Sequence, residues 1–241
     1  MHLTFPTFAR ARRFAATLRD CTSGLALTEF AMALPVLLTL GLGGLETANY
    51  AMAHLRVSNI AMLTADNAAR VRDSIDESDV TELFTGAKMT GDGIAFAENG
   101  RIILSSLEND GTTQWIRWQR CDGALDVDPL YGQPLTEDGA PIDDGTEIFQ
   151  TDRDTASSDP SSPEESDLTG MGPTANRITA QPGTAVMVVE VVYDYQPIIP
   201  SSFLEGRQIR YESSFNVRQR TNQSIQNIND VTPRSCDTTN A

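Results

Sequence analysis

The amino-acid sequence predicts an α+β fold in which a long N-terminal helix crosses a membrane with its first half and packs on an antiparallel β-sheet with its second. Three observations predict it. The run from Leu25 to Leu45 holds one charge, Glu29, in 21 residues. A three-four spacing of Leu45, Ala48, Met52, Leu55, Asn59 and Met62 carries the helical period past that run. From Ile94 onward the period drops to two, between turn signals.

At 1.5 Å per residue the apolar run spans roughly 30 Å, the thickness of the hydrocarbon core. Before it lie Arg10, Arg12, Arg13 and Arg19 against one acid, Asp20. The chain carries −15 overall, so everything after residue 24 carries −18. This asymmetry predicts a cytoplasmic N-terminus and an outer C-terminal part. An acidic outer part also argues against nucleic acid as a partner, because phosphates need a basic face. Pro35 interrupts one backbone hydrogen bond and is the expected kink. Gly41, Gly43 and Gly44 permit close helix packing.

A plain tether leaves Glu29 unexplained, since an acid in lipid costs about 2.5–3.5 kcal/mol at the centre and less near the interface. A cleaved secretory signal ending at Ala51-Met52-Ala53 would have an over-long basic region and an over-long apolar region. The stretch instead resembles a type IV prepilin signal. A basic leader ends in Gly24, the cut falls between Gly24 and Leu25, and Glu29 is the fifth residue after it. "TEFAMALPVLLTLGLGGLE" further resembles the start of TadE-like proteins of the tight-adherence (Flp) pilus system, at Phe30, Leu34, Pro35, Gly44 and Glu46. "NIAMLTADNAARV" (59–71) resembles the Ala-rich helix that follows in that family, and "VVYDYQPIIP" resembles its C-terminal part.

The resemblance implies a pilin-like fold in the bacterial inner membrane, with a periplasmic outer domain. It implies cleavage by a prepilin peptidase, and as partners other pilins and pseudopilins, the pilus secretion machinery and membrane lipid. Glu29, with Phe30 beside it, would set register between subunits by meeting the new amine of Leu25. The expected division is a leader over 1–24, a transmembrane helix over 25–45, its periplasmic continuation over 46–74 and an α+β domain over 75–241.

Within that domain, Ser78 is placed to cap a short helix over Asp79–Ala87. Ile94–Ala97 and Arg101–Ser106 flank Glu98-Asn99-Gly100, a hairpin turn signal. Thr112–Gln119 completes a three-stranded meander, with Trp115 and Trp118 on opposite faces by their offset. Residues 137–177 form an acidic insert. From Glu137 to Asp167 there are 11 acids and one base, Arg153, with almost nothing to bury, which predicts a disordered loop. Calcium is the sharper alternative, but no segment has the EF-hand pattern. Ala185–Pro200 reads as a β-branched strand ended by Pro197 and Pro200, and Arg207–Arg218 as its partner. The tail from Thr221 is polar.

Cys121 and Cys236 both follow the apolar run, while Cys21 precedes it. An even pair on one side of a membrane predicts a disulfide in an oxidising compartment, with two unrelated thiols as the alternative. For catalysis the sequence offers little. Its histidines are His2, in the leader, and His54, near the membrane. A Ser-His-Asp triad or a His-rich zinc site in the outer domain is therefore not expected. Asp126 with Asp128, and Asp143 with Asp144, read as solvated charges. No cofactor and no enzymatic activity are expected. The competing functional class is a signal-anchored binding protein without a pilus role.

Overall fold

The computed structural model describes residues 23–109, 111, 114–134, 169–200, 204 and 206–237. Residues 1–22 of the leader and residues 137–168 of the acidic insert lie outside the described residues. The chain divides into two compact units, Met1–Ala48 and Asn49–Ala241. One helix, α1, runs Ser23–Arg70.

In the first unit α1 buries nothing against protein across its apolar window. Leu25, Met32, Val36 and Leu40 all stand exposed. The threonine hydroxyls are satisfied within the helix. Thr28, Thr39 and Thr47 donate their hydroxyls to the carbonyls of Leu25, Pro35 and Gly43 at 2.7–2.8 Å. Such back-bonding removes the polar cost of a hydroxyl in a medium without water.

In the second unit α1 packs on a four-stranded sheet. The expected face is the wrong one. Met52, Leu55, Asn59 and Met62 point outward, and the buried stripe is Ala53, Val57, Ile60, Ala61, Ala65 and Ala68. Both stripes have helical spacing. The small one wins because alanines let the helix backbone approach the sheet closely, which larger side chains would prevent.

The helix ends at Arg70, not near residue 74. Asp73 takes a positive φ of 59°, and Asp73–Asp76 forms a short strand, β1. Helix α2, Glu77–Thr90, starts earlier than its expected bounds, and its cap is Asp76 rather than Ser78. Asp76 Oδ1 accepts from the Ser78 N–H at 2.9 Å, Asp79 returns a bond to the Asp76 N–H at 2.9 Å, and Asp76 Oδ2 accepts from the Ile228 N–H at 2.8 Å.

Burial alone would raise the Asp76 carboxyl; the Ile228 and Ser78 donors outweigh it and leave it lowered. A carboxylate held below its unfolded value adds stability above about pH 3.9 and loses it as pH falls through the folded value. Asp76→Ala is therefore expected to cost about 2 kcal/mol at pH 7 and less at pH 3, read from urea unfolding at the two pH values.

No strand forms over Ile94–Ala97. A 3-10 turn, Asp92–Ile94, leads through Ala95 at φ 50° into a short helix α3, Phe96–Asn99. Phe96 is fully buried, and a Cβ on Gly91 would lie 2.4 Å from its Cβ. A plug for the core overrides the local hairpin signal, and Gly100 opens a strand instead of closing a turn.

The sheet comprises β2 (Gly100–Asn109), β3 (Gln114–Asp122), β4 (Thr184–Asp194) and β5 (Gln208–Asn216), in the order β3-β2-β4-β5 with every pair antiparallel. The expected meander is thus a hairpin, β2–β3, with β4 on the other side of β2. A bulge places Ser106 opposite Trp118 but Leu107 opposite Ile116, leaving Arg117 as the extra residue. It brings Trp115 and Trp118 to one face, opposite Glu108 and Ser106, and both are buried. Simple alternation had put them on opposite faces.

Strand β4 shows period two across both faces. Met187, Val189, Val191 and Tyr193 join the α1 side, while Val186 and Val188 join Leu107, Ile116, Met171 and Ala180 on the other. A last strand, β6 (Arg220–Gln226), lies in the stretch read as polar tail and pairs parallel with β1, Ile75 opposite Ile225. The fold is α+β: a long N-terminal helix, its later part packed on an antiparallel four-stranded sheet.

Candidate functional site

The residues singled out from sequence fall in two places. Gly24, Leu25, Glu29, Phe30 and Pro35 are all on α1 in the first unit, and those from Gly24 to Pro35 are exposed along its length. Leu25 and Glu29 are four apart, so their side chains share one helix face about 6 Å apart along the axis. Pro35 sits inside the helix, which continues through it. A Cβ added at Gly24, Gly41, Gly43 or Gly44 would meet nothing within 4 Å, so the small-residue side is open to a neighbour.

Cys121 and Cys236 are joined by a disulfide, their Cα atoms 4.8 Å apart. The bond anchors the chain end to the sheet. The Cys121 N–H donates to the Arg234 carbonyl at 2.8 Å, and buried Arg101 donates to the Cys236 carbonyl at 2.7 Å. Burial pushes the Arg101 guanidinium down, opposed by Asp126 and Asp128, the pair read from sequence as solvated charge. Asp143 and Asp144 lie outside the described residues.

Close to the end of the apolar run is a cluster that the sequence reading did not assemble. Asn49 Nδ2 donates to the Tyr195 hydroxyl at 2.8 Å. The Tyr50 ring meets those of Tyr195 and His54 edge-on, with centroids 4.9 and 4.5 Å apart. His54 Nδ1 lies 3.2 Å from the Tyr211 hydroxyl. Helix α1, the residue that follows β4 and strand β5 meet here. The available signal was a tyrosine just after β4 and another on β5, but only the fold aligns them with α1.

Several ionisable groups inside the sheet domain are paired. Buried Arg120 and Glu77 form a fork in which Arg120 Nε donates to both carboxylate oxygens at 2.9 and 3.0 Å and Nη2 also donates to Oε1. Lys88, the chain's sole lysine, pairs with Asp122 at 3.2 Å, and Arg234 reaches the same carboxylate at 3.5 Å. Glu190 is raised by burial, against the pull of its partner Arg210. Burial lowers Arg220 to about 10, and its Nη2 donates to the Ala68 carbonyl at the end of α1 at 2.7 Å. Among the described residues, no three His, Cys, Asp or Glu side chains gather as metal ligands would.

A groove of about 470 Å³ runs between α1 and α2, with Ile60, Leu63 and Leu83 on its apolar walls and Asp79 and Glu82 at its edge. Thr64, Asn67 and Thr90 also line it, and among the described residues its lining holds no histidine or cysteine.

Residues 24–71 match the family model described as TadE-like protein. This segment is TadE-like. The TadE-like match covers all of α1 but its first residue, about a fifth of the chain, and ends two residues before β1. No curated protein and no solved structure matches the chain. The TadE-like segment holds the one described helix long and apolar enough to cross a membrane.

Proposed function

We propose that the chain is a membrane-anchored minor pilin or pseudopilin needed for assembly of a tight-adherence (Flp) pilus. It is single-pass in a bacterial inner membrane, with a cytoplasmic leader (1–24), a spanning segment (25–45) and a periplasmic part comprising the helix continuation and the α+β domain. A prepilin peptidase removes the leader between Gly24 and Leu25. The mature helix then associates with other pilins and pseudopilins and with the secretion machinery of the pilus, bending at Pro35.

The observation that carries this reading is Glu29, one helical turn after Leu25 on an exposed apolar helix that lies within the TadE-like match. Cleavage creates an amine at Leu25. An amine and a carboxylate in a poorly hydrated setting compensate each other where either alone is penalised. The pair can close within one chain or between neighbours, with Phe30 beside it, and so fixes subunit register. The outward stripe of Met52, Leu55 and Met62, interrupted by Asn59, has the spacing of a helix seam and suits association with another subunit's helix.

N-terminal sequencing of the protein extracted from membranes is the test. Leu25 as first residue is the expected result, and Glu29→Gln in the same strain should reduce pilus assembly while leaving that terminus unchanged. Met1 at the terminus with assembly intact would reduce the protein to a signal-anchored binding module, and His54 first would mean an ordinary secretory signal.

A further inference from the structure

The turn that leaves β4, Gln196–Pro200, is uncharged and carries Pro197, Ile198, Ile199 and Pro200 on a domain that is otherwise strongly acidic. Ile198 is 55% exposed. Its position in the chain is what matters. Tyr195, the residue before the turn, is hydrogen-bonded to Asn49 and in ring contact with Tyr50. Asn49 follows the last residue of the apolar run, Leu45, by four residues of continuous helix, about 6 Å of rise. A bilayer's polar layer is about 5–7 Å thick on each side of its hydrocarbon core. On the reading that residues 25–45 cross the membrane, chain connectivity brings Asn49 and Tyr50 within reach of headgroup depth, where tyrosine is enriched, and the turn follows Tyr195, which is bonded to Asn49.

The turn's chemistry fits lipid. Two prolines remove two N–H donors, so less backbone needs a partner away from water. Its neutrality avoids the repulsion that an anionic leaflet exerts on the acidic remainder of the domain.

We propose that Gln196–Pro200 is a second membrane contact, with Ile198 placed in the boundary between headgroups and acyl chains. The domain is then held to the bilayer at two points, the spanning segment and this turn. The inference rests on the reading that residues 25–45 cross the membrane.

The test is spin-label accessibility in the full chain, reconstituted in vesicles of phosphatidylcholine and phosphatidylglycerol. Cys21→Ser leaves the disulfide as the only other cysteine pair. Labels are placed through Ile198→Cys, through Leu37→Cys as the lipid reference and through Ile228→Cys as the water reference. Ile228 is 79% exposed and follows β6, whose partner β1 comes after the far end of α1.

The expected result is that position 198 resembles position 37, with collisions with a water-soluble nickel complex about fivefold rarer than at 228 and collisions with oxygen retained. A lipid-like signal at 37 with a water-like signal at 198 overturns the second contact and leaves the anchor intact. Shielding of 198 from both reagents means a protein partner and overturns it too. A water-like signal at 37 removes the membrane-crossing reading and this inference together.

Discussion

Glu77→Ala is expected to destabilise the outer domain by about 3–5 kcal/mol, because it leaves the Arg120 guanidinium buried without its counter-charge. Both side chains are almost wholly inaccessible, at 2% and 3% exposure. Arg120 keeps its bond to the Gln119 carbonyl at 2.8 Å and its place near the Trp118 ring, but neither supplies a negative charge. Glu77 also opens α2, where a carboxylate is favoured by the helix dipole, so its loss acts on that helix as well. The double change Glu77→Leu with Arg120→Met should recover most of the loss, since a well-packed apolar pair can replace a buried ion pair at little cost. Urea unfolding of the two single variants and the double variant gives the coupling. Purely additive losses would mean that the pair is not the source.

Loss of the disulfide has the other large effect. Cys121→Ser, or Cys236→Ser, removes a link between residues 115 apart, worth about 4–5 kcal/mol on the chain-entropy estimate. The damage should spread unevenly. Arg234 and the Cys236 carbonyl lose the geometry that joins them to Asp122 and Arg101. The tail after β6 should therefore exchange its amides faster than the sheet does. Hydrogen exchange of the oxidised and reduced protein measures this directly. Equal exchange in the tail of both forms would show that the bond only records a proximity that other contacts already enforce.

Elements that announce themselves in one stretch of chain were legible from sequence. The β-branched strand is buried along almost its whole length and the apolar run is uncharged but for Glu29, so the composition of each is dictated locally. The Cys121–Cys236 pairing was legible because the apolar run separates these two cysteines from Cys21. What the sequence reading missed depends on distant partners. Residues 220–226 are polar and look like tail, yet they form β6 because β1 offers a free edge some 150 residues earlier. The outward and inward stripes of α1 have the same period, and only the demand of the sheet for close approach selects the alanines. The cap at Asp76 has a local signal: Asp at 76 and Asp at 79 have the spacing of a capping box. Within the candidate site, Gly24 and Glu29 were legible as a spacing along one helix. The Asn49–Tyr195 contact was not, because it joins positions 146 apart.

The Cys121–Cys236 bond makes the stretch from the end of β3 to the tail a closed ring, with β4, β5, β6 and the acidic segment inside it. A single cut anywhere on that ring opens it without releasing a fragment. A protease that severs the acidic segment would convert a one-chain subunit into a two-chain subunit that stays attached to its anchor. Separating the halves would then take both reduction of the bond and unfolding of the β2–β4 pairing.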